Sequence, residues 1–298
     1  MSEWLLRYEG YDATQEPLRE ALCTLGNGRF ATRGAAPESR AAGAHYPGTY
    51  AAGVFNRIAV HLNGHDLENE SVVNLPDWQA LTFHLGDGDW FSIDAAQITS
   101  YIKELDMRRG VLTRSFTVID DTGRRTHVRQ RRIVSMADPY MAGLETTFEA
   151  ENWNGTITVR SGIEGRVANT GVARYRGLGD KHLTELTTEA LPPDALLMTA
   201  HTTQSRVRVA TAVRNRVHAE HVAAPPQLAL VTEDGYIAHE ITLQVEAGHP
   251  VTVDKVATLF TSHDPATSEP AGEAREKVLC APDFAALLER HVIAWTHL

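Results

Sequence analysis

The feature that most restricts this chain is a run of short segments in which apolar and polar residues alternate. They occupy residues 112–119, 126–134, 140–148, 155–161, 196–202, 206–213, 236–245 and 251–260, each bounded by Gly, Pro, Asn or Asp. A period of two sends one set of side chains to a buried face and the other to water, so each segment reads as a strand. Many short strands with scarcely a helical pattern among them give an all-β fold, a large antiparallel two-sheet sandwich. The opening segment with Trp4, Leu5, Leu6 and Tyr8 reads as a first strand, and Phe91–Ser92–Ile93–Asp94 also alternates. Asn63 and Gly64 between short apolar runs form a hairpin signal, as does 120–124, AspAspThrGlyArg. Pro76 confines the segment 71–78 to an edge or a strand end.

After Ser262 the texture changes. Residues 263–272 read as a linker, and a helical turn or two starts at Glu273. The segment 283–295 places Phe284, Leu287, Leu288, Val292 and Trp295 on one helical face, with Asp283 positioned to cap its start. Trp295 ends that stripe without an evident partner, so the surface it packs on is expected beyond this sequence.

A second feature is the ribbon from Leu25 to Arg57, LGNGRFATRGAAPESRAAGAHYPGTYAAGVFNR. Gly26, Gly28, Gly34, Gly43, Gly48 and Gly53 recur too densely for a helix or an uninterrupted strand. Between them run Asn27, Arg29, Arg33, Glu38, His45, Tyr46, Tyr50 and Asn56. Turning backbone beside aromatic faces and planar polar groups suits a surface that meets a sugar or a neighbouring domain. A set of hairpin turns without a ligand fits equally well.

With 298 residues the chain can bury a large core without staples. Cys23 and Cys280 are far apart and form no metal-ligand spacing, so each reads as a small buried apolar group in a reducing compartment. A formal charge of -10 disfavours nucleic acid and anionic membranes as partners. The arginine pairs at 108–109 and 124–125 and the run at 129–132 read as solvated sheet faces. No basic-then-apolar leader opens the chain, and no apolar run approaches the roughly 20 residues of a membrane span. The expected location is cytoplasmic.

Several motifs fail on context. Asp121–Thr122–Gly123 resembles the aspartic protease tripeptide, but its charged flanks and single copy make it a hairpin turn. Gly26–Asn27–Gly28 lacks the third glycine and the strand-helix setting of a dinucleotide fingerprint. Fourteen histidines offer no His-x-x-x-His with an intervening acid, and His239–Glu240 is isolated on a strand. No Gly-x-Ser-x-Gly elbow appears. Sugar recognition has diffuse support from Trp78, Trp90, Trp153, Tyr46, Tyr50 and Tyr175, with Asn and Arg as hydrogen-bonding partners. Glycosidic cleavage needs two suitably spaced carboxylates, and no acidic residue stands out in that role.

Six blocks together carry a resemblance. They are residues 25–38 (LGNGRFATRGAAPE), 46–56 (YPGTYAAGVFN), 73–78 (VNLPDW), 104–114 (ELDMRRGVLTR), 131–136 (RRIVSM) and 152–161 (NWNGTITVRS). In identity and order they resemble the amino-terminal domain of glycoside hydrolase family 65, which includes maltose, trehalose and kojibiose phosphorylases. The resemblance runs from Trp4 to Trp295. It implies a β super-sandwich of the galactose-mutarotase-like kind over 1–266 and a helical linker over 267–298, leading to an (α/α)6 catalytic barrel of the same parent chain. In the family an inverting mechanism uses a barrel glutamate as general acid, and phosphate or water attacks the anomeric carbon. No catalytic residue is therefore expected in this chain, and neither a cofactor nor a metal. Inorganic phosphate would be the co-substrate of a parent phosphorylase, a disaccharide its substrate, and a homodimer a possible assembly.

The expected function is that of a non-catalytic domain that packs on the barrel and shapes its active-site entrance. Arg33, Tyr50, Asn56 and Trp78 are the candidates for lining the substrate or the interdomain surface. The alternatives are a stand-alone carbohydrate-binding module or a sugar mutarotase, which needs a histidine and a carboxylate converging on a concave sheet face, and a fragment without activity.

Overall fold

The structure, a computed structural model, describes residues 3–62, 65–170, 179–219 and 225–298. Among these, nine antiparallel strands form one large sheet. In spatial order they are β1 (Leu5–Glu9), β8 (Gln97–Asp106), β9 (Val111–Ile119), β10 (Arg125–Val134), β11 (Met141–Ala150), β18 (Val251–Thr261), β15 (Arg208–Ala219), β14 (Ala195–Thr202) and β13 (Leu183–Leu191). A second sheet holds β16 (Gln227–Glu233), β17 (Tyr236–Val245), β12 (Gly155–Glu164) and β7 (Leu81–Leu85). The chain passes between the two layers repeatedly, and the all-β sandwich read from alternation is the fold.

The alternation assigns the faces. On β12, Ile157, Val159 and Ile163 point inward to meet Phe116, Val128, Leu144 and Phe148 of the large sheet, while Thr158 and Arg160 point outward. The hairpin at 120–124 is closed by Asp120, whose Oδ1 accepts from the backbone N–H groups of Thr122 and Arg124, with Gly123 at φ 81°. Strands β5 (Phe55–Leu62) and β6 (His65–Val72) pair outside both sheets, and the Asn63–Gly64 turn expected between them lies outside the described residues. Three short strands, β2 (Leu25–Gly26), β3 (Phe30–Thr32) and β4 (Thr49–Ala51), give the ribbon its regular part.

Four expectations need correction. Residues 91–94 form no strand; Phe91 and Ile93 enter the core from a loop. Cys280 is exposed just after a helix, where packing does not reach it. The arginine run at 129–132 is split by the pleat: Arg129 is exposed, Arg131 pairs with Glu145 at 2.7 Å, and Arg132 points into the domain, where it donates to the Ala35 carbonyl at 3.1 Å. Trp295 finds its partner within the domain. Its indole N–H donates to the Met107 carbonyl at 3.0 Å, and its ring lies where a side chain on Gly110 would be.

The last point follows from the helices. The outer face of the large sheet is apolar at Ile133, Met141, Val256 and Phe260, because α2 (Pro270–Leu279) and α3 (Phe284–Trp295) cover it. Gly143 leaves room for Phe284, whose ring would come within 2.8 Å of a Cβ there. Asp283 caps α3 as expected, accepting from Ala286 N–H at 2.8 Å, and Asp254 accepts from Phe284 N–H at 2.7 Å. None of the helices among the described residues is long and apolar enough to cross a membrane.

Four strands cannot cover nine. The part of the inner face that the small sheet leaves open is covered by the ribbon and by α1 (Glu16–Leu22), and there the large sheet turns from apolar to cationic. Lys103 meets Glu16 at 3.0 Å, and both are buried. Arg114 makes a bidentate pair with Glu38, at 2.8 and 2.5 Å. Lys255 sits at the edge of this region, under the small sheet, and donates to the carbonyls of Ala80 at 2.9 Å and of Gly162 on β12 at 2.6 Å. Irregular backbone brings carbonyls and carboxylates with it, and buried cations satisfy them where apolar side chains would leave them orphaned.

Candidate functional site

Helix α1 is short and its polarity is reversed. Glu16 and Glu20 are buried, whereas Leu18 and Leu22, one turn apart, are 57% and 50% exposed. Glu20 organises the ribbon. Its Oε2 accepts from Tyr46 N–H at 2.9 Å, and its Oε1 lies 2.7 Å from His45 Nδ1. His45 Nε2 is 3.0 Å from the Tyr11 hydroxyl, which donates in turn to Asp94. Since Tyr11 gives its own proton to Asp94, it accepts from His45, and an imidazole that donates from both nitrogens is the charged form. The Glu20 hydrogen bond holds the His45 pKa above its ordinary value in spite of burial, with further support from the charges of Glu20, Asp94 and Glu16.

This chain of bonds has a consequence for pH. A histidine raised on folding contributes stability that is fully present below its unfolded value, near 6.5, and is lost as pH rises through the folded pKa. Denaturation midpoints are expected to fall over that window in the parent sequence, and His45→Gln should flatten this part of the profile. An unchanged profile in His45→Gln contradicts the assignment.

The four candidate residues divide into two pairs. Arg33 and Tyr50 form a partly buried clasp with Tyr46. The Arg33 Nε donates to the Tyr46 carbonyl at 2.9 Å, its guanidinium lies 5.3 Å from the Tyr46 ring, and the Tyr50 hydroxyl donates to that of Tyr46 at 2.9 Å. Burial pushes the Tyr50 pKa up, so the phenol stays neutral. Gly48 makes the clasp possible, because a Cβ there would sit 2.8 Å from the Tyr50 ring and 3.1 Å from Arg33.

Asn56 and Trp78, the other two candidates for lining the substrate or the interdomain surface, are buried in this domain. Asn56 accepts from the backbone N–H groups of Gln204 and Ser205 and bonds His182 and Thr203, tying β5 to the turn after β14. Trp78 donates to Thr32 at 3.1 Å within the core. Asn56 adjoins strand sequence and Trp78 stands two residues after Pro76, and neither context distinguishes a core hub from an exposed ligand.

The other aromatics are similarly engaged. Trp153 is buried and donates to Thr126, Trp90 lies under the Arg160 guanidinium at 4.2 Å, and Tyr175 falls outside the described residues. His239 and Glu240 point to opposite faces of β17. His239 faces inward and meets Asn215, and Glu240 pairs with Arg160 on the outside. On β17, then, the inward-facing histidine meets an amide. Among the described residues no group of His, Cys, Asp and Glu could hold a metal ion.

Beside the ribbon lies a cleft of about 240 Å³ between the loop 37–47 and the outer face of the small sheet. Asp77 sits at its base. The Asp77 backbone bridges Glu164 at the end of β12, at 2.8 and 3.0 Å, and its Oδ1 accepts from Gln79 N–H. Burial pushes the Asp77 pKa up. Tyr236, Arg40, Glu38, Arg160 and Glu164 complete the wall. Sequence reasoning missed this cleft, because an Asp after Pro reads as a turn and Tyr236 is 159 positions away along the chain.

The family described as glycosyl hydrolase family 65, N-terminal domain, matches residues 6–298. An uncharacterized glycosyl hydrolase of Mycobacterium tuberculosis (strain ATCC 25618 / H37Rv) is 43% identical over 295 residues, which are 99% of this chain and 22% of that protein. A kojibiose phosphorylase of Caldanaerobacter subterraneus subsp. tengcongensis is 28% identical over 270 residues, covering 88% of this chain and 33% of its own length. A solved structure assigned provisionally as a kojibiose phosphorylase from the human microbiome superposes with a TM-score of 0.82 at 16% identity, over 99% of this chain and 38% of that one. The chain thus spans between a fifth and two fifths of the proteins it resembles. On the family match and the shared sandwich, it belongs to glycoside hydrolase family 65, as its N-terminal domain.

Proposed function

We propose that this chain is the non-catalytic part of an inverting α-glucoside phosphorylase or hydrolase acting on a disaccharide such as maltose, trehalose or kojibiose. In this reading residues 1–266 are the sandwich, 267–298 lead toward an (α/α)6 barrel, and inorganic phosphate is the co-substrate. The observation that carries the reading is the reversed helix α1. Its carboxylates are spent inside the domain on Lys103 and on the ribbon, and its leucines face outward. A helix that exposes its apolar side beside a rigid, internally bonded ribbon is built to be covered. We assign that cover to the barrel, with Arg33 and Tyr50 at the joint and Asn56 and Trp78 holding the ribbon in place behind them. The resemblance puts the general acid in the barrel, so the isolated chain should lack turnover. An assay of the purified chain with disaccharide and phosphate tests this, and formation of a sugar phosphate would defeat it.

A further inference from the structure

The ribbon and the large sheet leave a second, much smaller space between them. It holds about 20 Å³ and lies between Ala35 and Pro37 of the ribbon and Lys103, Arg114, Gln130 and Arg132 of the sheet. Every residue that lines it is buried. Lys103 and both arginines can only donate, and the acceptors beside them, Gln130 Oε1 and the Ala35 carbonyl, already serve Arg114 and Arg132. The Arg114 Nε–H is buried without a partner among the described residues, although Arg114 is only 4% exposed. A buried donor left so is costly unless something in the space accepts from it.

The charges around this space leave a positive excess. Lys103 pairs with Glu16 and Arg114 with Glu38, while Glu20 is bound to the charged His45. Burial pushes the Asp77 carboxyl up and the Lys255 ammonium down, so the two trade one proton and together carry no net charge wherever it sits. The Cys23 thiol is held neutral by burial. Arg132 therefore has no carboxylate of its own: its hydrogen bond goes to the Ala35 carbonyl, and burial pulls its pKa down to about 10.

A water in this space could accept from the arginines, but its own protons would meet no free side-chain acceptor and the charge would stay uncompensated. A monatomic anion accepts from every donor and supplies the missing charge. Tetrahedral oxyanions such as phosphate are too large for about 20 Å³. We propose that the cavity between the ribbon and the large sheet is a halide site, in which chloride accepts from Arg114 Nε and the Arg132 guanidinium and ties the ribbon to the sheet. The site belongs to this chain alone and does not rest on the proposed joint with a barrel.

Thermal unfolding of the 298-residue chain in sodium chloride or bromide against sodium gluconate, at one ionic strength so that screening is constant, tests it. An ion that binds the native state raises the midpoint as its concentration rises, so the midpoint should climb with either halide when it replaces gluconate. Crystals grown in bromide should show an anomalous scattering peak within hydrogen-bonding reach of Arg114 and Arg132. Arg132→Gln keeps a donor and removes the charge, and should weaken the halide affinity about tenfold. Gln130→Glu puts a fixed negative charge in the wall and should abolish the halide response; it decides the matter if Arg132→Gln does not fold. Equal midpoints in chloride and gluconate, a water alone in the cavity of the bromide-grown crystal, or a Gln130→Glu variant that responds to chloride as the parent does would overturn the proposal.

Discussion

Arg114→Met is expected to destabilise the isolated chain by about 3–5 kcal/mol, the usual penalty for stranding one partner of a buried ion pair. Arg114 and Glu38 are both almost fully enclosed, with 5% and 3% of their side chains exposed. Glu38 has no other donor among the described residues, and the Arg114 NH1 also serves Gln130 at 3.0 Å. The Arg114 guanidinium further stacks 4.5 Å from the Phe116 ring, so its stem and plane belong to the core. The pair as such need not be stabilising, because desolvation offsets attraction. Replacing both partners at once, in Arg114→Met with Glu38→Leu, should therefore recover most of the loss. Arg129→Ala, a solvated neighbour on β10, should stay within about 0.5 kcal/mol of the parent. Chemical denaturation of the four proteins measures this. A single mutant as stable as the parent would show that the ribbon is not held by this pair.

The second large effect concerns the exposed leucines of α1. Leu18→Ser with Leu22→Ser is expected to leave the isolated chain's stability nearly unchanged, since both side chains already face water. In a longer protein in which a barrel covers them, each buried leucine contributes about 1.5–3 kcal/mol. The pair should then lower the unfolding midpoint markedly and reduce activity. The discriminating quantity is the difference between the two contexts. Equal effects in both would mean that α1 is not a covered surface.

The sandwich was legible because its strands obey the pleat: 112–119 and 155–161 alternate, and their inward residues are core. The amphipathic stripe of α3 was legible for the same reason. The cationic patch was not. Arg114, Arg132 and Lys103 occupy inward positions that alternation reserves for apolar residues, and their partners lie 76, 97 and 87 positions away. Periodicity reports which face a residue shares and says nothing of what covers that face. The same limit hid the reversal of α1, whose Glu16 and Glu20 are indistinguishable in sequence from solvated acids. The ribbon's glycines announced tight geometry, but whether Asn56 and Trp78 point inward depends on long-range partners such as Thr203 and Thr32 that no local spacing encodes.

The central claim is that this chain is the scaffold of a sugar enzyme and lacks the group that cleaves the bond. The most direct measurement incubates the purified 298-residue chain with kojibiose, trehalose or maltose and inorganic phosphate, in parallel with a longer protein that carries the same domain. Glucose phosphate or free glucose from the longer protein, and none above the blank from the chain alone, is the expected result; turnover by the chain alone would contradict it.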